Sequence, residues 1–185
     1  MEEDFIIDIV PVRKQKIAIY PGSFDPFTIG HLNILEKVEA IFGKENSFIC
    51  IGINPKKIPV ETQKIIADYT ESEIADVMNR MKQTKINRTK LHLPSKNVDG
   101  YVGLLTDYVF EKEKEGFDVV VVRGLRNGYD LDYEYNQTRF MWDKKPDLKI
   151  IYIPCDPIYG HVSSTAYRDL EITKPGSGYE YLARE

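Results

Sequence analysis

Apolar residues in this chain fall into short runs separated by amphipathic stretches, and the alternation repeats along its length. Ile17-Ala18-Ile19, within Lys16–Tyr20, predicts a first buried strand. Leu32, Ile34, Leu35, Val38, Ile41 and Phe42 follow at helical spacing and predict a helix from about Gly30 to Phe42. Phe48-Ile49-Cys50-Ile51-Gly52-Ile53 reads as a second strand, ending in Asn54-Pro55-Lys56-Lys57-Ile58-Pro59, which its two prolines make a loop. A helix is expected from Thr70, with Glu73 completing a capping box and Ile74, Val77, Met78 and Met81 as its stripe. Leu91-His92-Leu93 reads as a short strand and Tyr101 to Lys114 as a helix stopped by Gly116. Phe117 to Val122 is a continuous apolar run, as a parallel strand buried on both faces requires. The turn Arg123 to Gly128 leads to a helix from about Asp130 to Trp142, Leu148 to Ile153 is the last strand, and Ser163 to Leu170 the last helix.

Five strands alternating with helices predict an α/β chain with a doubly wound, parallel five-stranded sheet. The expected organisation is an N-terminal arm or edge strand over residues 1–15, a core domain over 16–170 and a tail over 171–185. Within that tail Lys174 to Gly178 reads as loose, with Tyr179 and Leu182 available to dock. A length of 185 residues suits one such domain. The net charge of −4 argues against a general nucleic-acid binder and leaves room for local cationic pockets. Cys50 and Cys155 border separate apolar runs and read as reduced, buried thiols. The acidic start, Met1-Glu2-Glu3-Asp4, is unlike a signal peptide, and no apolar run approaches bilayer-spanning length. A soluble cytoplasmic protein is the expectation.

In doubly wound sheets ligands bind beyond the C-terminal strand ends, and the polar clusters of this chain lie there. Tyr20-Pro21-Gly22-Ser23-Phe24-Asp25-Pro26-Phe27-Thr28-Ile29-Gly30-His31 joins strand one to helix one. Its glycines allow backbone amides to approach a ligand, and the helix start suits phosphate. A plain turn with a helix-capping His31 is the bland alternative. Lys56 and Lys57 follow strand two, as a phosphate clamp or an idle surface pair. Arg123-Gly124-Leu125-Arg126 follows the most apolar strand and can hold two anionic groups, or form surface ion pairs; Glu134 on the next helix can orient an arginine. Tyr159-Gly160-His161-Val162-Ser163-Ser164-Thr165 follows the last strand. Helix capping explains one of its three hydroxyls, and three together point to a ligand. His161 reads better as a ring packed on the loop than as a catalyst, and His92 as structural.

Thr28-Ile29-Gly30-His31 resembles the T/H-x-G-H signature of the nucleotidyltransferase superfamily. With Gly103-Leu104-Leu105-Thr106-Asp107-Tyr108, Arg123-Gly124-Leu125-Arg126, Asp130, Tyr133 and Glu134, the chain is similar to the phosphopantetheine adenylyltransferase family from Tyr20 to about Leu170. The resemblance implies a Rossmann-like fold and transfer of the adenylyl group of ATP to 4′-phosphopantetheine, giving dephospho-coenzyme A and pyrophosphate. It implies that Lys57 and Arg123 hold the attacking phosphate, with Ser23 at the reaction centre beside Phe24, and that His31 stabilises the transition state. Thr28 and Gly30 would shape the turn. Gly124, Leu125, Arg126 and Glu134 would border ATP, and Tyr159 to Thr165, comprising Gly160, His161, Val162, Ser163 and Ser164, would bind adenine and the β- and γ-phosphates. Leu105 would line the pantetheine arm. Mg2+ would ride on the ATP phosphates, with no metal-binding side chains of the protein's own, and the assembly would be a homo-oligomer, a hexamer.

The chain departs from that pattern at Ser23 (usually Thr), at Asn127-Gly128-Tyr129, at Gly160-His161, in an apparent insertion near Glu61 to Asp68, and at both termini. Two other functions stay open at this point. One is a nucleotidyltransferase with a different phosphate acceptor. The other is a non-catalytic nucleotide or coenzyme A sensor.

Overall fold

A computed structural model describes residues 14–54, 58 and 60–185. Lys56, Lys57 and all but the last two residues of the expected N-terminal arm lie outside the described residues. The strands are β1 (Gln15–Gly22), β2 (Ser47–Ile53), β3 (Asn97–Val102), β4 (Phe117–Leu125) and β5 (Lys149–Pro154). They form one parallel sheet in the order β3-β2-β1-β4-β5. The helices are α1 (Ile29–Phe42), α2 (Val60–Ile65), α3 (Glu71–His92), α4 (Leu105–Lys114), α5 (Gly128–Lys144) and α6 (Ser164–Thr173). This is the expected doubly wound α/β fold.

Side-chain alternation divides the core in two, as the two-residue period of a strand requires. Ala18 and Tyr20 of β1, Ile49, Ile51 and Ile53 of β2 and Val122 of β4 pack with Ile34, Leu35 and Val38 of α1 and Met78 and Ile86 of α3. Ile17, Ile19, Cys50, Val119 and Val121 face the other way, against Leu105 and Val109 of α4 and Met141 and Trp142 of α5. Both cysteines are buried free thiols. Among the described residues no helix is long and apolar enough to cross a membrane.

The strand order fixes where a ligand can bind. From β1 the chain winds outward through β2 to β3, then returns to the other side of β1 as β4. The connections therefore part at the C-terminal ends of β1 and β4, which opens a crevice between them. Those two ends carry the Tyr20–His31 run and Arg123-Gly124-Leu125-Arg126.

The third strand differs from expectation. Leu91 and His92 form the last turn of α3, and Leu93 is its C-cap. The strand is Asn97–Val102, so Tyr101 belongs to it and not to the following helix. Leu91 is exposed, so its apolar character marks no buried strand. The true strand sits at the sheet edge and mixes polar residues and a glycine, which hides it from an apolar-run criterion. Gly103, at φ +92°, ends it and allows α4 to begin at Leu105. Thr70 caps α3 as expected, with its N–H donating to the Glu73 carboxylate at 2.8 Å.

The tail is held, where Lys174 to Gly178 reads as loose in the sequence. The Glu171 carboxylate accepts from the N–H groups of Gly176 and Gly178, at 2.9 and 2.8 Å. Leu182 pairs with Thr28 in an isolated antiparallel bridge and Ala183 enters the core, while Tyr179 stays exposed.

Candidate active site

A cavity of about 470 Å³ occupies the crevice. Its lining brings together Gly22, Ser23, Phe24, Gly30 and His31 from the β1–α1 junction, Arg123, Gly124 and Arg126 from the end of β4, Glu134 from α5, and Val162, Ser163, Ser164 and Thr165 from the start of α6. Three of the sequence clusters, far apart in the chain, thus meet around one cavity. A wider, open hollow of about 780 Å³ lies at the opposite end of the strands, between Lys16, Asp118 and Lys149. Those lysines pair with Asp118 and no motif reaches it.

The geometry at His31 is specific. Thr28 is the N-cap of α1, and its backbone N–H donates to His31 Nδ1 at 3.0 Å. His31 thus occupies the place a Glu or Gln takes in a capping box. Because Nδ1 accepts from a backbone donor, the neutral ring carries its proton on Nε2. Phe24, Phe27 and Tyr20 surround the ring at centroid separations of 5.1, 5.3 and 6.4 Å. Burial, and secondly the Arg126 charge, push its pKa down to about 4. Near neutrality the imidazole is therefore an uncharged Nε2–H donor on the cavity wall. The capping reading holds, and it leaves the functional one open: the cap selects the tautomer that turns the remaining N–H away from Thr28.

The neighbouring loop is built to hold that arrangement. Phe24 has φ +42°, a left-handed conformation that costs of order 1 kcal/mol in a residue other than glycine. Its ring lies over Gly22, where a Cβ would fall 2.7 Å from it. Ser23 is exposed on the cavity, and its carbonyl accepts from Lys85 Nζ of α3 at 3.4 Å. Thr28 is fully buried, so it acts on the site only through His31 and the loop.

Across the crevice, Arg123 Nε and Nη2 both bind the Glu134 carboxylate, which leaves Nη1. Arg126 makes a two-pronged contact with Asp130, at 2.9 and 2.8 Å, and Arg126 is the chief cause of the lowered Asp130 pKa. Asn127, one of the departures noted above, caps α5 by accepting from the Asp130 N–H at 3.1 Å. Gly124 has a packing role: a Cβ there would sit 2.4 Å from Ile34 Cδ1 and 2.8 Å from the Tyr20 hydroxyl.

Other candidates lie elsewhere. Leu105 is buried against Val109, Val119 and Cys50 on the far side of the sheet, whereas Leu104 is exposed beside Gly103, which does line the cavity. Leu125 lies on β4 and accepts from the Cys155 N–H at 2.8 Å, outside the lining. Tyr159 and Gly160 form the turn beneath Val162, and exposed His161 stacks edge-on against Tyr181 at 5.8 Å. The three hydroxyls also have partners within the protein. Ser163 caps α6, Ser164 donates to the Pro26 carbonyl at 2.8 Å, and Thr165 accepts from Arg168 at 3.2 Å.

Sequence reasoning missed Arg168, which lines the cavity and ties α6 to the loop by donating to the Asp25 carbonyl. Its position four residues after Ser164 placed it on the same helix face, a readable signal. Asn54, also in the lining, opens the loop after β2 that the sequence singles out, whereas Tyr101 carried no comparable sign. Among the described residues no three His, Cys, Asp or Glu side chains group to hold a metal ion. The two lining carboxylates are engaged by Arg126 and Arg123.

A parallel sheet with a T-x-G-H turn at its switch point, facing arginines at the adjacent strand end, defines a nucleotidyltransferase-type site. The family described as cytidylyltransferase-like matches residues 19–170. Within it, similar proteins carry the name phosphopantetheine adenylyltransferase. That of Shouchella clausii is 32% identical over 155 residues, covering 84% of each chain. That of Leptospira biflexa is 33% identical over 156 residues, again 84% of each. That of Christiangramia forsetii is 31% identical over 169 residues, 90% of this chain and 94% of the relative. The chain belongs to the phosphopantetheine adenylyltransferase family of cytidylyltransferase-like proteins.

Proposed function

We infer that the protein transfers the adenylyl group of ATP to the phosphate of 4′-phosphopantetheine, forming dephospho-coenzyme A and pyrophosphate. The observation that carries this reading is the uncharged His31, locked as an Nε2–H donor on the cavity wall opposite Arg123 and Arg126.

A phosphate monoester is already ionised near neutral pH, so attack on the α-phosphate needs no strong general base. The protein's tasks are to align the two phosphates and to stabilise charge on the equatorial oxygens as the bond exchanges. In this reading Arg123, through Nη1, and Lys57 hold the acceptor phosphate, and Ser23 stands at the point of transfer. His31 donates to an α-phosphate oxygen. Arg126, Arg168 and the α6 start serve the β- and γ-phosphates that leave. Glu134 and Asp130 fix the arginine planes. Gly30, with no side chain, leaves room for the nucleotide over α1, and Val162 borders the base. Magnesium would come with ATP as part of the substrate and would neutralise part of the phosphate charge, with no side chain of the protein assigned to hold it.

The family resemblance further supports a cytoplasmic homo-oligomer, a hexamer. Tyr129 and Phe140, exposed on one side of α5, are consistent with burial between subunits. Light scattering on the purified protein reads the assembly directly.

The deciding experiment measures pyrophosphate release with ATP against 4′-phosphopantetheine, unphosphorylated pantetheine, nicotinamide mononucleotide and glycerol 3-phosphate. Turnover with the first alone is expected. Turnover with another acceptor reassigns the substrate, and nucleotide binding without turnover identifies a sensor. Product from unphosphorylated pantetheine would overturn the mechanism, because the phosphate is the nucleophile.

A further inference from the structure

The residues after α6 run back beneath the loop that carries the His31 environment. Leu182 pairs with Thr28 in the antiparallel bridge, and the Ala183 N–H donates to the Phe27 carbonyl at 3.2 Å. Ala183 is 2% exposed and packs in the same cluster as Phe24 and Phe27. With Leu182 and Tyr167 it backs a small pocket of about 130 Å³ beside those two rings.

The strap has its own anchor. The Glu185 N–H donates to the His92 carbonyl at 3.0 Å, and its carboxylate accepts from the Ser95 N–H and hydroxyl at 2.9 and 2.5 Å. Lys96 lies 3.6 Å from that carboxylate and 2.9 Å from Glu39 of α1, and its side chain is 8% exposed. A buried ion pair costs desolvation and is most useful where it fixes one geometry. Here it joins the strap to the helix whose first turn bears His31.

These contacts meet at one residue. Thr28 pairs with Leu182 on one side and gives its N–H to His31 Nδ1. Phe27, whose carbonyl the strap holds, packs its ring on the imidazole. On the adenylyltransferase reading above, we propose that Leu182–Glu185 is a positioning strap for His31. By clamping the Phe27–Thr28 backbone it keeps the imidazole in its donor tautomer and in its dry aromatic surroundings. No strap residue touches the cavity, so the effect is on orientation and not on substrate contact.

The test compares the intact protein with a deletion of residues 182–185 and with Glu185→Ala, which releases the anchor and leaves the bridge to Thr28. For each, kcat and the two KM values are measured, and the His31 ring is titrated by NMR. The deletion is expected to lower kcat by about 10- to 100-fold, as small misplacements of catalytic groups do, with both KM values within about 3-fold. The His31 titration should move from about 4 toward the ordinary 6.5 as water reaches the ring. Glu185→Ala should shift both readouts in the same direction by a smaller amount, and it carries the test if the deletion does not fold. A folded variant with kcat within about 2-fold and an unchanged His31 titration would overturn the strap. If the intact protein has no transferase activity but the deletion still moves the His31 titration, the functional reading fails and the strap stands.

Discussion

Replacing His31 tests whether one residue caps a helix and serves the reaction at once. Alanine removes three things. Loss of the acceptor for the Thr28 N–H costs about 1 kcal/mol, as N-terminal caps do. Loss of ring contacts with Phe24 and Phe27, at 5.1 and 5.3 Å, adds about 1 kcal/mol. Together these lower Tm by about 4–8 °C in a chain of this size. Loss of the Nε2–H donor is a separate effect, expected to reduce kcat by about 10²–10³-fold with ATP affinity within a few-fold, because the contact strengthens in the transition state. His31→Gln separates the two. Glutamine at this position of a capping box accepts from the N-cap N–H, so Tm should recover most of the loss. The rate should stay low, because the amide does not present a ring N–H at the same place. Differential scanning fluorimetry, nucleotide titration and steady-state kinetics on the same preparations give all three quantities. If the Gln variant regains both stability and turnover, or if folded His31→Ala turns over near-normally, the donor role is wrong.

The folded His31 pKa near 4 lies below its ordinary 6.5, so its contribution to stability is complete above about pH 6.5 and is lost as pH falls toward 4. Tm of the intact protein should therefore fall more steeply over that interval than Tm of His31→Gln; parallel curves would refute the burial argument. Gly124→Ala should destabilise by about 1–3 kcal/mol in urea unfolding, since its Cβ would overlap Ile34 and the Tyr20 hydroxyl. Gly30→Ala should unfold near the wild-type midpoint yet bind ATP at least about tenfold more weakly; unchanged ATP affinity would show that the space over α1 is not used. Lys57→Ala and Arg123→Ala should impair use of the acceptor more than binding of ATP, by about 1.5–3 kcal/mol per lost charged contact, and equal loss on both substrates would reverse that assignment.

Much of the fold was legible because most of the strands are local apolar runs. Ile17–Ile19, Phe48–Ile53 and Val119–Val122 are buried on both faces, and a run with that burial needs no context to be read. The edge strand Asn97–Val102 has one neighbour and carries Asn97, Asp99 and Gly100. Its place is set by pairing with β2: a Cβ on Gly100 would meet the Ile51 carbonyl at 2.8 Å. That requirement belongs to the neighbour and leaves no periodic mark in the strand itself. Exposed Leu91 made the opposite error, an apolar residue with nothing to bury against. In the tail the docking of Leu182 was readable, but its partners were not, since the Glu185–Ser95 and Ala183–Phe27 contacts bridge residues far apart in sequence.

At the site, residue type alone could not separate what folding needs from what a ligand needs. The three hydroxyls at the start of α6 argued for phosphate by number, yet each has a partner within the protein. His31 argued for chemistry or for capping; the geometry shows the cap, and the chemistry proposed for it uses the ring nitrogen the cap leaves over. The glycines are the clearest case, because a missing Cβ can be tested against its surroundings. Packing under the crevice forbids a side chain at Gly124. At Gly30 the nearest atoms to a Cβ are the Val162 carbonyl and side chain and Tyr159, at 3.5–3.7 Å, an ordinary contact. Gly30 is the second residue of α1, in its first turn, where alanine would be favoured by only a fraction of the roughly 1 kcal/mol seen in helix interiors. Neither packing nor helix propensity accounts for glycine there. On the adenylyltransferase reading, what remains is the space it leaves on the cavity wall beside His31, and the weaker ATP binding expected of Gly30→Ala is the measurement that separates the demand of a ligand from the demands of the fold.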